Sequence, residues 1–453
     1  MATRPFTLLT ELFGDPVTAA IFSAERTVRS WLEAEAALAA AQAEHGVLRP
    51  EVARAIGAAC TLESVDMAEL WDGARNVGYP ILSLVRMIDA ALPAEAAGHV
   101  HLGATTQDIM DTGLALQLGE AIDRLLELVG TTGDAMAALV DRHRGTVMAA
   151  RTHGQQAVPT TFGAKVAVHL EELARRRRRL AALRPEVARV SLFGAGGTSA
   201  ALGPQAAPVR ATMARLLGLE PADVPWHVAR DGVAEFGLAC ATLAASCGRF
   251  AREVVALSRT EIGEVAEPDG HHRGASSTMP QKENPISSEA VIGMSVTAAA
   301  LSSSLLGAME PRHERAAGEW QVEWEAIPLL AGLAAGCALN AGAIAADLRV
   351  FPAAMRDNLR RDSGFLMAEA YMMRLAAELG RERAHDLVYD AVRDARRDGR
   401  SLEESLAAAA GERFEAIAPG DYVGDPDVAC DAALRAWREE QSQMSTSEPS
   451  EMR

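Results

Sequence analysis

The sequence predicts an all-α protein whose centre is a bundle of long helices. Hydrophobic residues make up 49% of the 453 residues and aromatic residues only 4%, which points to a core of Ala, Leu and Val. Ala and Leu are strong helix formers. No stretch before residue 100 alternates convincingly with the period of two that is typical of strands. Apolar residues instead recur at helical spacing in five long segments, 109–141, 161–189, 232–264, 287–309 and 325–348.

Residues 1–106 predict a small helical N-terminal domain. Ser23 is a good N-cap for a helix that carries Glu25 in its first turn, and Gly46 marks the end of that helix. A second helix is expected at 50–60. A third begins after Pro80, where apolar residues recur at i, i+3, i+4 and i+7.

Residues 107–346 form the predicted central helix-bundle domain. Several of its segments exceed about 25 residues, a length that favours long bundle helices shared between subunits. The stretch 327–346 is uncharged and long enough to be weighed as a membrane span. It is rich in Ala and Gly and contains Pro328 and Asn340, so we interpret it as a helix buried in the bundle.

Residues 347–438 return to short amphipathic helices and form the predicted C-terminal domain. Gly380, Gly399 and Gly411 are the expected helix breaks. The final segment, 439–453, is rich in Ser, Glu, Gln and Met and shows no periodicity. We predict that this tail is disordered.

Charge and cysteine content argue against several classes of protein. A net charge of −17 argues against a general nucleic-acid or membrane-surface binder, so an anionic substrate would need local positive charge. Arginines 175–179 go right round a helix and follow Glu171 and Glu172, which favours a solvated or salt-bridged face. The five cysteines lack metal-ligand spacing, and no N-terminal segment pairs basic residues with an apolar run. We therefore expect a cytoplasmic protein with free thiols and no metal site.

Residues 193–199 read Phe-Gly-Ala-Gly-Gly-Thr-Ser and imitate a dinucleotide-binding fingerprint. The third glycine position is Ser199, the preceding apolar run is short, and no alternation of strands and helices surrounds it. A turn between two helices is the better interpretation.

The strongest chemical signal lies at residues 274–285, which read Gly-Ala-Ser-Ser-Thr-Met-Pro-Gln-Lys-Glu-Asn-Pro. Together with the approach from Gly270, its glycines and prolines predict a loop, 270–285, rather than a helix interior. Two adjacent hydroxyls, Ser276 and Ser277, lie a few residues before Lys282. A mobile loop of this kind suits a lid over an anionic substrate.

Two further polar strings are expected at the ends of long helices. Residues 101–108 read His-Leu-Gly-Ala-Thr-Thr-Gln-Asp, and residues 151–156 read Arg-Thr-His-Gly-Gln-Gln. Hydroxyls and backbone N–H groups at helix starts form natural carboxylate sites. Each string alone could be a capping cluster, but each adds a titratable or amide group beyond what capping needs.

The string Ser-Ser-x-Met-Pro-x-Lys-x-Asn-Pro at 276–285 closely resembles the signature of the fumarase/aspartase superfamily, which has three polar regions in this order and at about this spacing. Within it, the chain reads like the 3-carboxy-cis,cis-muconate cycloisomerase group, with adenylosuccinate lyase as the next neighbour. The matching segments are 12–16, 103–108, 313–318, 367–370 and 421–424. The resemblance, which runs from about residue 12 to 437, implies a three-domain all-α fold. It also implies a homotetramer with a 20-helix core and active sites shared by three subunits.

Carried over residue by residue, the resemblance makes Ser276 the general base, acting as an alkoxide, with Ser277 the less favoured candidate. A free serine is far too weak an acid for this, so Lys282, backbone N–H groups and exclusion of water would have to stabilise the alkoxide. His153 resembles the histidine that adenylosuccinate lyases and fumarases place near the leaving group. For Arg315, a grip on a carboxylate and a structural role are both open. The implied substrate-binding residues are Thr105, Thr106, Gln107, Arg151, Thr152, Gln155, Met279, Lys282, Asn284 and Arg315.

Several positions depart from the family pattern. Muconate cycloisomerases tend to carry Trp at the position of His153. Ala275 replaces a glycine and stiffens the loop, and Glu283 replaces an arginine, which exchanges a cation for an anion near the substrate. Gln107 and Gln156 stand where adenylosuccinate lyases have histidines, which argues against the purine reaction.

These expectations describe a cofactor-free lyase acting on a small di- or tricarboxylate. It would take the Cβ proton of a substituted succinate and expel a C–N type substituent, such as an amine or nitrite, to give fumarate. Two alternatives stay open. One is 3-carboxymuconate lactonisation, the same kind of chemistry in the addition direction, and the other is a non-catalytic scaffold.

Overall fold

A computed structural model describes residues 7–315, 318–411 and 414–446, with side chains described as far as 442. Within these ranges the fold is all-α, as predicted, with two short antiparallel strand pairs. The helices are α1 (Leu8–Phe13), α2 (Pro16–Ile21), α3 (Ala24–Glu44), α4 (Pro50–Ala59), α5 (Met67–Val77), α6 (Ile81–Ala90), α7 (Thr106–Arg142), α8 (Phe162–Val187), α9 (Ala206–Leu217), α10 (Asp231–Leu257), α11 (Ile286–Ala308), α12 (Glu319–Ala346), α13 (Pro352–Asn358), α14 (Ala368–Leu379), α15 (Arg381–Asp398), α16 (Leu402–Ala410) and α17 (Pro426–Thr446). The strands are β1 (Val147–Thr152), β2 (Gln155–Thr161), β3 (Val265–Ala266) and β4 (Arg349–Val350).

The five long segments predicted from periodicity are the helices α7, α8, α10, α11 and α12. Four of them end close to the predicted bounds. Helix α10 stops at Leu257, earlier than predicted, because the chain turns back through Gly263, whose φ is 60°, and Glu264 N–H donates to the carbonyl of Leu257. This turn leads directly into β3.

Helix ends follow the expected capping chemistry. The hydroxyl of Ser23 accepts from the backbone N–H of Arg26 and starts α3. Gly380, Gly399 and Gly411 are the C-cap residues of α14, α15 and α16, as predicted. Helix α5, which we did not predict, is capped by the carboxylate of Asp66 and shows that a short helix can be missed beside longer neighbours.

The contacts divide the chain into two compact units. Unit 1 comprises residues up to 128 together with 176–248 and 293–339, and unit 2 comprises 129–175, 249–292 and the residues from 340 onwards. Each of the five long helices contributes part of its length to each unit. The predicted division into three sequential domains, 1–106, 107–346 and 347–438, stays a prediction.

Each unit has its own apolar core. In unit 1, side chains of α3 such as Leu32 and Leu38 pack with residues of α7 and α9, including Ile109 and Met213. In unit 2, the core joins α14 to α16 and reaches Ala149 of β1. Burial of these aliphatic side chains supplies the main stabilisation of both units.

Two helices in the described part of the chain, α11 and α12, are long and apolar enough to be weighed as membrane spans. In α12, 67% of the most apolar window is buried inside the protein, which agrees with the bundle helix predicted for 327–346. The corresponding share in α11 is 39%, so this helix presents apolar side chains at the surface of the protomer.

The last helix continues into the segment predicted to be a disordered tail. Helix α17 reaches Thr446, and the side chains of Trp437 and Gln441 both donate to the carboxylate of Asp134 on α7. These long-range contacts hold residues 439–442 against the fold, which composition alone did not indicate. Residues 447–453 of the predicted tail lie outside the described residues.

The arginine run and the cysteines behave as expected. Arg175 forms an ion pair with Glu171 one helical turn earlier, so this part of the run is a salt-bridged helix face. All five cysteines are free thiols, and four of them are buried.

Candidate active site

The first polar string, residues 101–108, leads into the start of α7. The backbone N–H of Thr105 donates to Asp108 Oδ2 (3.0 Å), and the half-buried hydroxyls of Thr105 and Thr106 stand at the helix N-terminus. Unpaired N–H groups and the helix dipole make such an end favourable for a carboxylate. The expected helix start is present, and the binding of a carboxylate there stays a prediction.

Asp108 ties this string to the glycine-rich turn that follows α8. Its buried carboxylate accepts from the N–H groups of Phe193 (2.9 Å) and Gly194 (2.8 Å) and from His227 Nε2 (2.7 Å). Burial disfavours its charge, but the hydrogen bond and charge of His227 and the two backbone N–H groups outweigh burial and hold the pKa of Asp108 below its usual value. The turn at 193–199 thus serves a structural role rather than nucleotide binding.

Helix α3 holds the other side of the string. His101 Nδ1 lies 2.6 Å from Glu35 Oε1, and the side-chain amide of Gln42 donates to the carbonyl of Leu102 (2.6 Å). His101 has a φ of 63°, a left-handed conformation that non-glycine residues adopt only with support. These two contacts provide that support and fix the turn in front of Thr105.

Gln107 and Arg315 are brought together with Thr105. Arg315 Nε donates to Gln107 Oε1 (2.9 Å), and Arg315 Nη1 lies 3.5 Å from the hydroxyl of Thr105. Arg315 Nη2 is buried and has no hydrogen-bond partner. An unsatisfied buried donor on a cation is costly, so this atom marks a place where an anion would be stabilised.

Gln107 itself is 1% exposed and fully engaged. Its NH₂ group donates to Asp111 Oδ2 (3.1 Å) and to the carbonyl of His227 (2.8 Å), while its oxygen faces Arg315. Gln107 therefore positions Arg315, and its direct contact with substrate stays a prediction.

The second polar string, residues 151–156, lies in a β-hairpin. The prediction that it stands at the end of a long helix is therefore wrong. Strands β1 and β2 pair antiparallel, and His153 and Gly154 form the two-residue turn between them. Their φ values of 53° and 76° are those of a type I′ turn, whose twist matches that of the strands. His153 is exposed at the tip, with Thr152 and Gln155 exposed on either side.

Arg151 is used inside the hairpin. Its guanidinium forms two hydrogen bonds with the fully buried carboxylate of Glu264, at 2.9 and 2.7 Å, and Asn358 donates to the same carboxylate (2.8 Å). The amide of Gln156 donates to the carbonyl of Asn358 (2.9 Å). This ion pair ties the hairpin to Glu264, and the binding of substrate by Arg151 stays a prediction.

The loop at residues 270–285, here called the serine loop, is closed at its base. The carbonyl of Gly274 accepts from both the backbone N–H (2.9 Å) and the side-chain NH₂ (2.8 Å) of Asn284. Gly274 has a φ of 66°, and a Cβ there would lie 2.4 Å from the carbonyl oxygen of Asn284. Only glycine fits this closure. The NH₂ group of Asn284 thus helps to close the loop, and the predicted contact of Asn284 with substrate stays a prediction.

The two serines of the loop have different surroundings. Ser276 is half-buried, and its Oγ accepts from the backbone N–H groups of Thr278 (3.3 Å) and Met279 (3.1 Å). Ser277, Met279 and Lys282 are exposed. Two N–H donors aimed at Ser276 Oγ would stabilise negative charge on that oxygen.

Two family models match the chain. A model described as lyase matches residues 14–299, and a model described as adenylosuccinate lyase C-terminus matches residues 364–419. The chain belongs to the fumarase/aspartase superfamily of lyases. The predicted family and the prediction of an enzyme are thereby confirmed.

Relatives of this superfamily lyase include proteins with different reactions. It is 43% identical over 371 residues to a 3-carboxy-cis,cis-muconate cycloisomerase of Pseudomonas aeruginosa, covering 81% of each chain. It is 37% identical over 444 residues to a nitrosuccinate lyase of Streptomyces davaonensis, covering 93% of this chain and 92% of the relative. The solved structure of 3-carboxy-cis,cis-muconate lactonizing enzyme from Pseudomonas putida matches with a TM-score of 0.90 and 36% identity, covering 96% of this chain and 99% of that one.

Sequence reasoning missed a buried ionic group beneath the first string of this lyase. Arg230 pairs with Asp111 (2.9 Å) and with Glu323, and all three side chains are 1% exposed. Burial raises the pKa of Glu323 even though Arg230 opposes the shift. Asp108 and Asp111 lie three residues apart near the start of α7 and therefore share a helix face, a signal that could have indicated this group.

Proposed function

We propose that this lyase catalyses a cofactor-free β-elimination from a substituted succinate with a nitrogen leaving group, giving fumarate, and that Ser276 is the general base. The observation that carries the base assignment is the pair of backbone N–H groups donating to Ser276 Oγ, from Thr278 and Met279. Ser277 is exposed and is less suited as the base. Water around an alkoxide stabilises its charge and makes it a weaker base.

The proposed reaction begins when the Ser276 alkoxide takes a proton from the carbon next to a substrate carboxylate. The electron pair of that C–H bond first spreads into the carboxylate, which becomes a doubly charged aci-carboxylate. It then forms the carbon–carbon double bond while the C–N bond breaks, and the bonding electrons leave with the nitrogen substituent. Fixed positive charge must meet the dianion, since stabilisation of developing charge lowers the barrier.

Several groups supply this charge in the proposal. Lys282 on the serine loop is an exposed cation that can meet one carboxylate. The hydroxyls of Thr105 and Thr106, the start of α7 and the unpaired Nη2 of Arg315 form a second anion site. The backbone and side chain of Met279 would border the substrate beside Ser276.

His153 is proposed as the acid for leaving groups that need a proton. Its position at an exposed hairpin tip, flanked by Thr152 and Gln155, suits a residue that completes a site on a neighbouring subunit. Nitrite is a stable anion and needs little protonation. A nitro substituent would therefore make the smallest demand on His153.

We further propose the homotetramer implied by the superfamily, with each active site shared by three subunits. Apolar side chains on the long helices support it, because Val296 and Leu306 of α11 are 56% and 52% exposed in the protomer. Helices that expose such side chains are normally covered by a partner.

The alternative function is lactonisation of 3-carboxy-cis,cis-muconate, which the 43% identical relative favours. Against it stands His153, where the cycloisomerase group tends to carry Trp. The non-catalytic scaffold weighed earlier is set aside, since the chain belongs to a family of enzymes.

A substrate panel tests the proposal. The purified protein is incubated separately with nitrosuccinate, aminosuccinate derivatives and 3-carboxy-cis,cis-muconate, and the ultraviolet absorbance of the product is followed, with Ser276→Ala as the control. We expect fumarate and nitrite from nitrosuccinate, and fumarate formation by the control that is slower by about 100-fold or more. Turnover of 3-carboxy-cis,cis-muconate alone would establish the alternative.

A further inference from the structure

Glu283 is the anion that replaces an arginine in the serine loop, and the structure shows what it contacts. Its Oε2 accepts from Arg349 Nη2 at 2.6 Å. Arg349 Nε donates at the same time to the backbone carbonyl of Glu267 (2.8 Å), on the segment that leads into the loop. The guanidinium of Arg349 therefore joins the returning side of the loop, at Glu283, to the segment that precedes the loop, at Glu267.

This contact lies next to the closure of the loop. Glu283 forms an isolated antiparallel bridge with Ala275, on the loop side of the hydrogen bonds between Gly274 and Asn284 and next to them. Arg349 begins β4, whose partner β3 holds residues 265–266. The strand pair gives Arg349 a fixed base from which to hold Glu283.

The charge of Glu283 would otherwise oppose the proposed chemistry. It directly follows Lys282, so an unpaired carboxylate there would compete with a substrate carboxylate for the same ammonium group and would repel the substrate. Pairing with Arg349 removes this competition. The exposed fractions of the two side chains, 32% and 62%, mean that water screens the pair, so the expected effects are severalfold rather than many orders of magnitude.

We propose that Arg349 is a positioning residue for the serine loop, which neutralises Glu283, fastens the returning side of the loop to the carbonyl of Glu267 and leaves Lys282 as the cation available to the substrate. The catalytic part of this inference rests on the proposed function. The fastening of the loop does not.

Proteolysis tests the fastening without any substrate. The sequence contains two lysines, Lys165 and Lys282, so a lysine-specific protease reports directly on the loop. Lys165 lies in helix α8 and pairs with Glu253 (2.7 Å), whereas Lys282 is exposed in the loop. Arg349→Met is compared with Arg374→Met, which removes an exposed Arg–Glu pair of similar length, Arg374 with Glu415 (2.9 Å), elsewhere in unit 2.

We expect cleavage after Lys282 to be several times faster in Arg349→Met than in the wild type and unchanged in Arg374→Met. Arg349→Met leaves the sequence around the cleaved bond intact, so intrinsic susceptibility is matched. Equal cleavage rates in the wild type and both variants would overturn the fastening.

Steady-state kinetics test the charge effect. Arg349→Met should raise KM severalfold with a smaller change in kcat, and Glu283→Gln should have a milder effect. Adding Glu283→Gln to Arg349→Met should bring KM back to that of Glu283→Gln alone, because no unpaired anion is left beside Lys282.

A double variant as impaired as Arg349→Met would contradict the neutralising role. If the wild type turns over none of the panel substrates, the proposed function fails, and the proteolysis result still decides whether Arg349 holds the loop.

Discussion

Gln107 and Arg315 show how a residue's role depends on its partners. The NH₂ group of Gln107 donates to Asp111 and to the carbonyl of His227, so its oxygen faces Arg315. Arg315 Nη1 then lies near the hydroxyl of Thr105, and Arg315 Nη2 is buried without a hydrogen-bond partner. The two residues are 208 positions apart, a relation that periodicity and motifs do not reveal.

Arg315→Met should lower kcat/KM for a dicarboxylate substrate by about 10- to 100-fold, because a charge-assisted hydrogen bond to the substrate is lost. The matched control is the exposed neighbour Arg312→Met, which should leave kcat/KM within about twofold, the range of ordinary surface substitutions. Steady-state kinetics at a fixed salt concentration provide the measurement. Equal kinetics for the two variants would remove Arg315 from the anion site.

His101 predicts a dependence of stability on pH. Burial opposes its charge, but the hydrogen bond and charge of Glu35, aided by Asp108, outweigh burial and raise the pKa of His101. A raised folded pKa stabilises the protein fully below the unfolded value of about 6.5, and this contribution disappears as the pH rises through the folded pKa.

The test compares the melting temperatures of the wild type and His101→Asn, since Asn tolerates the left-handed backbone at this position. The melting temperature of the wild type should exceed that of His101→Asn by more at about pH 6 than at about pH 9. The charged form of His101, which Glu35 stabilises in the folded state, is the form that prevails at the lower pH. A difference that is the same at both pH values would show that the charge of His101 does not contribute.

At the scale of elements, the long helices could be predicted and the hairpin could not. Long helices repeat the same apolar spacing over many turns, so the signal accumulates. Strand β1 reads Val-Met-Ala-Ala-Arg-Thr, which does not alternate, and its turn is His-Gly rather than the common Asn-Gly. The polar residues of 151–156 were recognised, but the element that carries them was not.

Gly274→Ala tests whether loop closure matters for activity. The left-handed backbone alone costs about 1–2 kcal/mol for alanine, and the clash with the carbonyl of Asn284 adds to it. We expect at least a tenfold loss of kcat, measured beside Gly270→Ala in the approach to the loop. A Cβ added at Gly270 would meet only the side chain of Arg273, at 3.2 Å, and no backbone atom, so this variant is the control. Similar activity in both variants would show that the closure is dispensable.

At the scale of the whole molecule, family and fold class follow from the sequence, whereas the assembly does not. The signature at 276–285 and the helical periodicity are local features. The exposure of Val296 and Leu306 appears only in the folded protomer. The resemblance to the superfamily implies that the three polar strings meet in sites shared between subunits, and this stays a prediction.

Mixed tetramers test that arrangement. Ser276→Ala carries its defect in unit 2 and Arg315→Met carries its defect in unit 1. If a site combines residues from different subunits, coexpression of the two impaired variants should create some intact sites and restore part of the activity. Tetramers purified through two different tags would be assayed against each parent. Activity no higher than that of the parents would indicate sites contained within single subunits.

The central claim is that Ser276 is the base, and kcat for Ser276→Ala against Ser277→Ala tests it most directly. Loss of a general base should lower kcat by about 10²- to 10⁴-fold in Ser276→Ala, with an unchanged melting temperature and a much smaller effect in Ser277→Ala. Ser276→Ala with nearly full kcat, or a larger loss in Ser277→Ala, would contradict the account.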